Sequence, residues 1–417
     1  MSEKSFGLEQ MRSWLADAPL SVDLTEAEQD EWCRRVAEEM LERSPAEEDL
    51  RRLENRLLDA PVLVRLAVKL AQSKRRMMAL AGDVHVSVVF AVYKEHSRLR
   101  TREEHPHGED FLVRKVEQIE WLLRGAPGAS WEMLVVDDGC PENSGAIAQD
   151  VIHSRGLDDR VKVFFLQDAI DEGHPAAAGI TTTADSQKGG SIEYGMSVAT
   201  EDDRPNHVVV FTDADLSTHL GQLGLLVEPI LGRGYDAAIG SRREPMSVVI
   251  KSGARNARGK LFIYLWKRLI PTLSPIIDTQ CGFKAFRADV AAGIVCDTVE
   301  KRFAFDIELL LRTVLGRADS IERVAIAWID SEAASTTTEL QPYLPMLKSL
   351  VRISEKYLPP NETAAGFAAL IDSLDEEAWA RLSSNVPPEI AGREPIEFDD
   401  YDEVTPEHLR AAAQPMR

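Results

Sequence analysis

The sequence predicts an α/β protein with a mostly parallel central sheet, flanked by a helical N-terminal extension and an acidic C-terminal tail. Three observations carry that expectation. From residue 84 onward, short β-branched apolar runs alternate with segments of helical spacing, the pattern of strand–helix–strand units packed as a parallel sheet. Residues 1–80 show helical spacing only. Residues 357–417 hold thirteen acidic and four basic side chains, a balance that favours solvation over burial.

Taken in order, SVDLTEAEQDEWCRRVAEEML sets Thr25 ahead of Glu26 and Glu28, a helix-start pattern. LENRLLDAPVLVRLAVKLAQSKRRMMAL continues the helical spacing past Pro61. This extension, 1–80, is expected to cover the core or to mediate homo-oligomerisation. Strands are expected at 84–92, 132–137, 161–167, 207–213 and 235–241, with helices at 111–123, after Asn143 and at 191–199. The stretch 168–190 is long, polar and rich in Gly and Thr, and ordered loops of that kind are often lids. The central domain is read as 84–335 and followed by a helix at 336–356. The tail, 357–417, is expected to form one helix around 370–382 and to be otherwise partly disordered.

Composition narrows the function. The chain has 417 residues and a net charge of −21, with no concentrated basic patch, which argues against a nucleic-acid partner. Cys33, Cys140, Cys281 and Cys296 form no CxxC pair, so no zinc framework of that type is expected, and scattered thiols suit a reducing compartment. No apolar run reaches the ~18 residues of a membrane span, and the first residues lack a signal-peptide core. A cytoplasmic protein is expected. Peripheral membrane contact is open through LFIYLWKRLIPTL (261–273), which carries Lys267 and Arg268; a buried helix is the alternative.

The chemistry gathers at strand ends. VVVFTDADLST closes an apolar run with Asp213 and Asp215. Ligands of open α/β sheets bind beyond the carboxyl ends of strands, and two neighbouring carboxylates repel unless a cation or donors compensate. Mg²⁺ uses such carboxylates together with substrate phosphates. A strand-end turn with a helix-capping Asp is the plainer alternative. Further strand ends carry AVYKE (91–95), VVDDGCPENSG with Asp137 and Asp138, and GSRR with Arg242; DTQCGFKAF (278–286) and FAFDIELL (303–310) follow.

In this order, over roughly 84–335, these motifs resemble the inverting glycosyltransferases of family 2, with the GT-A nucleotide-sugar-binding fold, and among them the dolichyl-phosphate glucose and mannose synthases. The resemblance implies transfer of a hexose, glucose first, from a UDP-sugar to a polyprenyl phosphate or a soluble acceptor, with a divalent metal, Mg²⁺ or Mn²⁺. It implies metal contacts from Asp215, Asp213 and Ser217, where the mannose synthases often carry Gln at the last position. Donor contacts are implied for Asp137, Asp138, Tyr93 and Glu95, although Ala91 and Lys94 replace the family's Pro and Asn. Lys188 and Gly189 stand at the family's KG-rich turn, where a helix start can approach phosphate. Arg242 and Arg255 are candidates for gripping phosphate oxygens. Asp278, Asp306 and Glu308 are the candidate general bases, although a phosphate acceptor, with a second pKa of about 6, needs little deprotonation. Two rival classes remain. A nucleotidyltransferase would carry a Gly-rich loop where AVYKEHSR stands, and an inactive scaffold would have no need of Asp213, Asp215 and Arg242.

Overall fold

The computed structural model describes residues 8–43, 46–250, 257–330, 342–398 and 403–414. The strands are β1 (Val84–Val92), β2 (Ala129–Asp137), β3 (Val161–Phe165), β4 (His207–Thr212), β5 (Ala237–Ser241), β6 (Val248–Ile250), β7 (Phe283–Arg287), β8 (Ile321–Ala325) and β9 (Ala327–Ile329). Seven form one sheet in the order β3-β2-β1-β4-β7-β5-β8, while β6 and β9 pair separately. β7 runs antiparallel to β4 and β5, and the other pairings are parallel. VHVSVVFAV and HVVVFT are buried almost throughout, as strands covered on both faces must be.

This order creates the site. The chain builds outward from β1 to β3, then returns to place β4 on the other side of β1, making a topological switch point. Because β7 is antiparallel, the segment entering it lies at the edge where β1, β2, β4 and β5 end. The motifs at 91–95, 137–140, 213–217, 241–243 and 278–282 therefore share one edge of the sheet.

Residues 8–43 and 46–80 form a layer of this fold. Helices Ala27–Arg43 and Val62–Ala79 bury Val36, Met40, Leu66 and Leu70 in one core with Val86, Val88, Phe90, Val208 and Val210. Helices Phe111–Leu123 and Leu223–Arg233 complete that face. A polar contact runs deeper: His219, beyond β4, meets Asp30 at 2.5 Å with both side chains buried. Burial alone would raise the Asp30 carboxyl, but His219, Arg34 and Arg114 outweigh it and hold Asp30 at about 2.

The opposite face bears on two expectations, the alternatives for 261–273 and the form of the tail. The stretch 261–273 enters helix Ala257–Leu269, whose Leu261, Phe262, Tyr264, Leu265 and Trp266 are buried. Phe367, Leu370, Trp379, Ile390 and Phe398 from the C-terminal region share that core, and the Tyr264 hydroxyl donates to the Val404 carbonyl at 2.7 Å. This is the buried-helix alternative: the apolar face is covered by the chain itself. The tail is not a single helix. Helices Glu362–Ser373, Glu376–Ser384, Pro388–Ala391 and Pro406–Ala412 lie within it, because its few apolar residues fall on helix faces that dock. Strand β3 also ends early, since Leu166 and Ala169, three apart, bury one side of helix Leu166–Asp171. Among the described residues, no helix is long and apolar enough to cross a membrane.

Candidate functional site

After β4, Asp213 and Asp215 are half-buried while their neighbours Thr212, Ala214 and Leu216 are buried. The backbone alternation turns both carboxylates toward the sheet edge. Asp215 is set by Ser217, whose amide donates to Oδ1 at 3.0 Å and whose hydroxyl donates to the same oxygen at 2.5 Å. Ser217 is itself buried, and its hydroxyl orients the Asp215 carboxylate. Asp213 donates its amide to the Gly282 carbonyl at 3.1 Å, and a Cβ on Gly282 would stand 2.4 Å from the Asp213 carboxylate. The glycine of DTQCGF is therefore the only residue that admits Asp213 in this position.

The KGG turn closes over the same carboxylate. Lys188 Nζ pairs with Asp213 Oδ1, and Lys188 holds a positive φ of 92°, which is costly for a side-chain-bearing residue. Its amide is held by Asp138 Oδ2 at 2.8 Å, and Ser191 donates to the other Asp138 oxygen. Gly189 packs so closely on the 301–302 backbone that a Cβ would meet the Arg302 carbonyl at 2.5 Å. Burial would raise the Asp213 carboxyl; Lys188, with Arg242 and Lys115 beyond it, outweighs burial and holds it below the usual range.

The other candidates divide by how their atoms are used. Asp137 accepts from the Gly139, Cys140 and Gly145 amides at 2.9, 2.8 and 2.7 Å, so it builds the turn after β2. Asp138 ties that turn to Lys188. Both carboxylates are occupied in the role of turn residues, which counts against base reading by either. Asp278 takes the Arg242 amide at 2.7 Å and a two-pronged guanidinium contact at 2.9 and 2.7 Å. Burial would raise its carboxyl, but Arg242 pulls it down; a base tied up this way is corrected to a positioning residue for Arg242. Glu308 is fully buried, accepting from the Val299 and Glu300 amides and the Tyr357 hydroxyl. It braces the 299–300 loop, and both of its oxygens already accept from donors of the chain. Asp306 remains near the centre, bound by Gln280 and by Lys284 at 3.0 Å, and burial lifts its carboxyl against the pull of Lys284 and Lys188. Tyr93 is exposed at the same edge with Lys94 Nζ 5.5 Å from its ring centre. Arg255 lies outside the described residues.

The sequence reading missed Lys115. It is fully buried on helix Phe111–Leu123 and donates to the Asp215 carbonyl at 2.8 Å. Burial lowers it to about 8 against the attraction of Asp215 and Asp213. Glu95 is buried and pairs with Arg98 at 2.8 Å. Burial raises it to about 7, Arg98 opposes, and Asp215 and Asp213 add to the rise. Asp213 and Asp215 thus present two hard oxygen donors of the type a divalent cation takes, set among the cations Lys188, Lys115 and Arg242.

Residues 109–291 match the family described as glycosyl transferase family 2. Glycosyltransferase AglD of Haloferax volcanii is 28% identical over 239 residues, which cover 57% of this chain and 32% of that protein; the chain thus spans about a third of that relative. Human dolichyl-phosphate beta-glucosyltransferase is 26% identical over 282 residues, 66% of this chain and 76% of the relative. Among solved structures, glucosyl-3-phosphoglycerate synthase from Mycobacterium tuberculosis in complex with uridine diphosphate superposes with a TM-score of 0.45 at 17% identity, covering 70% of this chain and 86% of that one.

Proposed function

We propose a donor, an acceptor and a role for each site residue from the premise that this chain carries a glycosyltransferase family 2 domain. The reading is an inverting transfer of a hexose, glucose first, from a UDP-sugar to an acceptor phosphate. The observation that carries it is the pair of half-buried carboxylates, Asp213 and Asp215, at the switch-point edge of the sheet.

Asp213 and Asp215 would hold a divalent ion, Mg²⁺ or Mn²⁺, which when bound supplies positive charge against the donor diphosphate. Ser217 and Lys115 fix Asp215 from side chain and backbone respectively. Lys188 neutralises Asp213 and is placed to turn toward phosphate when a cation takes its place there. Arg242, held by Asp278, offers a pre-oriented guanidinium for phosphate oxygens. The exposed Tyr93 ring offers a stacking face to the base.

The acceptor follows from which acids are free. Asp278 and Glu308 are committed, and the Asp306 oxygens are occupied by Gln280 and Lys284. None is poised to take a proton from a sugar hydroxyl. A phosphate, already largely ionised at neutral pH, needs only alignment with the anomeric carbon. Polyprenyl phosphate is the first choice, because the human relative is named for dolichyl phosphate. A soluble phosphate ester is the second, favoured by the burial of the apolar stretch 261–273 under the C-terminal region.

The test is transfer of label from UDP-glucose, with Mn²⁺, Mg²⁺ or chelator, to polyprenyl phosphate in detergent and to soluble phosphate esters. Metal-dependent product in either arm that disappears in Asp215→Ala supports the reading, and the productive arm selects the acceptor. Donor-independent, metal-independent behaviour in every arm returns the chain to a scaffold without chemistry.

A further inference from the structure

A second polar cluster lies at the opposite edge of the sheet. Register sets His85 beside Ser130 of β2 and His207 of β4, with Ser87 beside Glu132. Side chains at these positions share one face, since alternate residues of a strand point the same way. His85 and His207 are 5% and 3% exposed, with ring centres 4.9 Å apart. One ligand atom from each of His85, Glu132 and His207 lies within 4.8 Å of the other two. From His207 to Asp213 is six strand residues, about 20 Å at the usual rise, so this cluster is separate from the donor site.

Hydrogen bonds leave the cluster incomplete. Ser87 Oγ bridges Glu132 Oε1 at 2.7 Å and His207 Nε2 at 2.8 Å. His85 Nδ1 meets Ser130 Oγ at 2.8 Å, while its Nε2 faces Glu132 at 3.4 Å. His207 Nδ1 is buried without a hydrogen-bond partner among the described residues. That atom is the ring nitrogen that Ser87 does not hold, so the nitrogen this ring offers to the rest of the cluster is Nε2.

The geometry points to a zinc site formed by His85, Glu132 and His207. Two imidazole nitrogens and a carboxylate oxygen are a ligand set Zn²⁺ takes in tetrahedral sites, with a fourth position left for water. Ser130 holds the outer nitrogen of His85, the kind of contact that fixes a ligating ring. Ser87 gives up its bridging place when the ion enters. The Glu132 side chain is 21% exposed and marks the side from which an ion and its water arrive. The site ties the amino ends of β2, β1 and β4 together, so the ion's expected effect is on stability; its water-bearing fourth position is that of an open site and not of a closed four-ligand one. No glycosyl transfer passes through it.

The test uses the full chain carrying Asp215→Ala, so that the donor-site carboxylate pair is removed. The protein is stripped with chelator, given Zn²⁺ alone, gel-filtered, and assayed for bound zinc and for Tm. About one equivalent of zinc and a Tm raised by several degrees are expected, as for any ligand that binds only the folded state. Adding His207→Gln or Glu132→Gln abolishes both effects. Where His207→Gln does not fold, the partly exposed Glu132→Gln carries the comparison. Zinc content unchanged by Glu132→Gln, or no zinc retained before that change, overturns the assignment. Neither result bears on the donor site, whose own test is sugar transfer.

Discussion

The loop after β4 and the two later motifs, DTQCGFKAF and FAFDIELL, both carry acids drawn from family-like motifs, yet the structure uses them in opposite ways. Asp213 and Asp215 are half-buried at the sheet edge; one oxygen of each is paired, with Lys188 or Ser217, and among the described residues the other is left unpaired. Asp278 and Glu308 are buried and have their oxygens taken by Arg242, or by two amides and Tyr357. The difference teaches that a motif carboxylate reports chemistry only when its lone pairs are left for a ligand. One already satisfied by the chain is structural, however conspicuous its motif.

Substitutions in the two regions should therefore separate turnover from stability. The largest effect is expected for Asp215→Ala: sugar transfer from UDP-glucose falls on the order of 10³-fold, the scale of losing a charge-stabilising group at a reacting centre. Urea unfolding should change little, because the carboxylate is half-buried and its amide partner survives. Loss of stability without loss of turnover would break the comparison at its first term.

Asp278→Asn is expected to do the reverse first. It leaves the partly exposed Arg242 guanidinium without its buried counter-charge, and breaking such a pair costs on the order of 1–3 kcal/mol. The midpoint of urea unfolding should drop accordingly, with donor affinity weakened as Arg242 loses its orientation. An unfolding midpoint equal to that of the unaltered protein would show that the pair is not structural.

A third measurement reaches the N-terminal layer that supports the loop after β4. Asp30 titrates near 2 against a usual value of 3.8 because His219, Arg34 and Arg114 outweigh its burial. A carboxyl depressed in the folded state stabilises the fold above its unfolded pKa, and that gain is lost as pH falls through the folded value. About 2 kcal/mol should vanish between pH 4 and pH 2. The loss in that window should be absent in Asp30→Asn, which starts lower. Parallel acid profiles for the two proteins would sink the assignment.

How much of this was legible follows the same division. The strand-end acids and the KGG turn were visible because each is a local pattern in the chain, an apolar run broken by charge or a glycine pair opening a helix. Lys115 left only a faint mark, a lysine within the apolar spacing of FLVRKVEQIEWLL, and its partner is a carbonyl 100 residues away. The reason Gly282 must be glycine lies in the side chain of Asp213, which β7 reaches only by running antiparallel. The pairing of Asp30 with His219 spans 189 residues. The tail looked too acidic to dock because composition averages over helix faces, and its few large apolar residues fall on the faces that meet Tyr264 and its neighbours. Local chemistry is written in the sequence, whereas the commitment of each polar atom is set by tertiary contacts.

The smallest predicted effect is the sharpest test of the structural half of the comparison. Tyr357→Phe removes the hydroxyl that donates to Glu308 at 2.7 Å and keeps the ring. Glu308 retains its two amide donors, so the cost should be about 1 kcal/mol, that of one hydrogen bond. Because Glu308 is argued to brace the 299–300 loop and not to touch substrate, the pH profile of sugar transfer should not move. A shifted profile in Tyr357→Phe would return Glu308 to the reacting centre and erase the distinction between the two sets of acids.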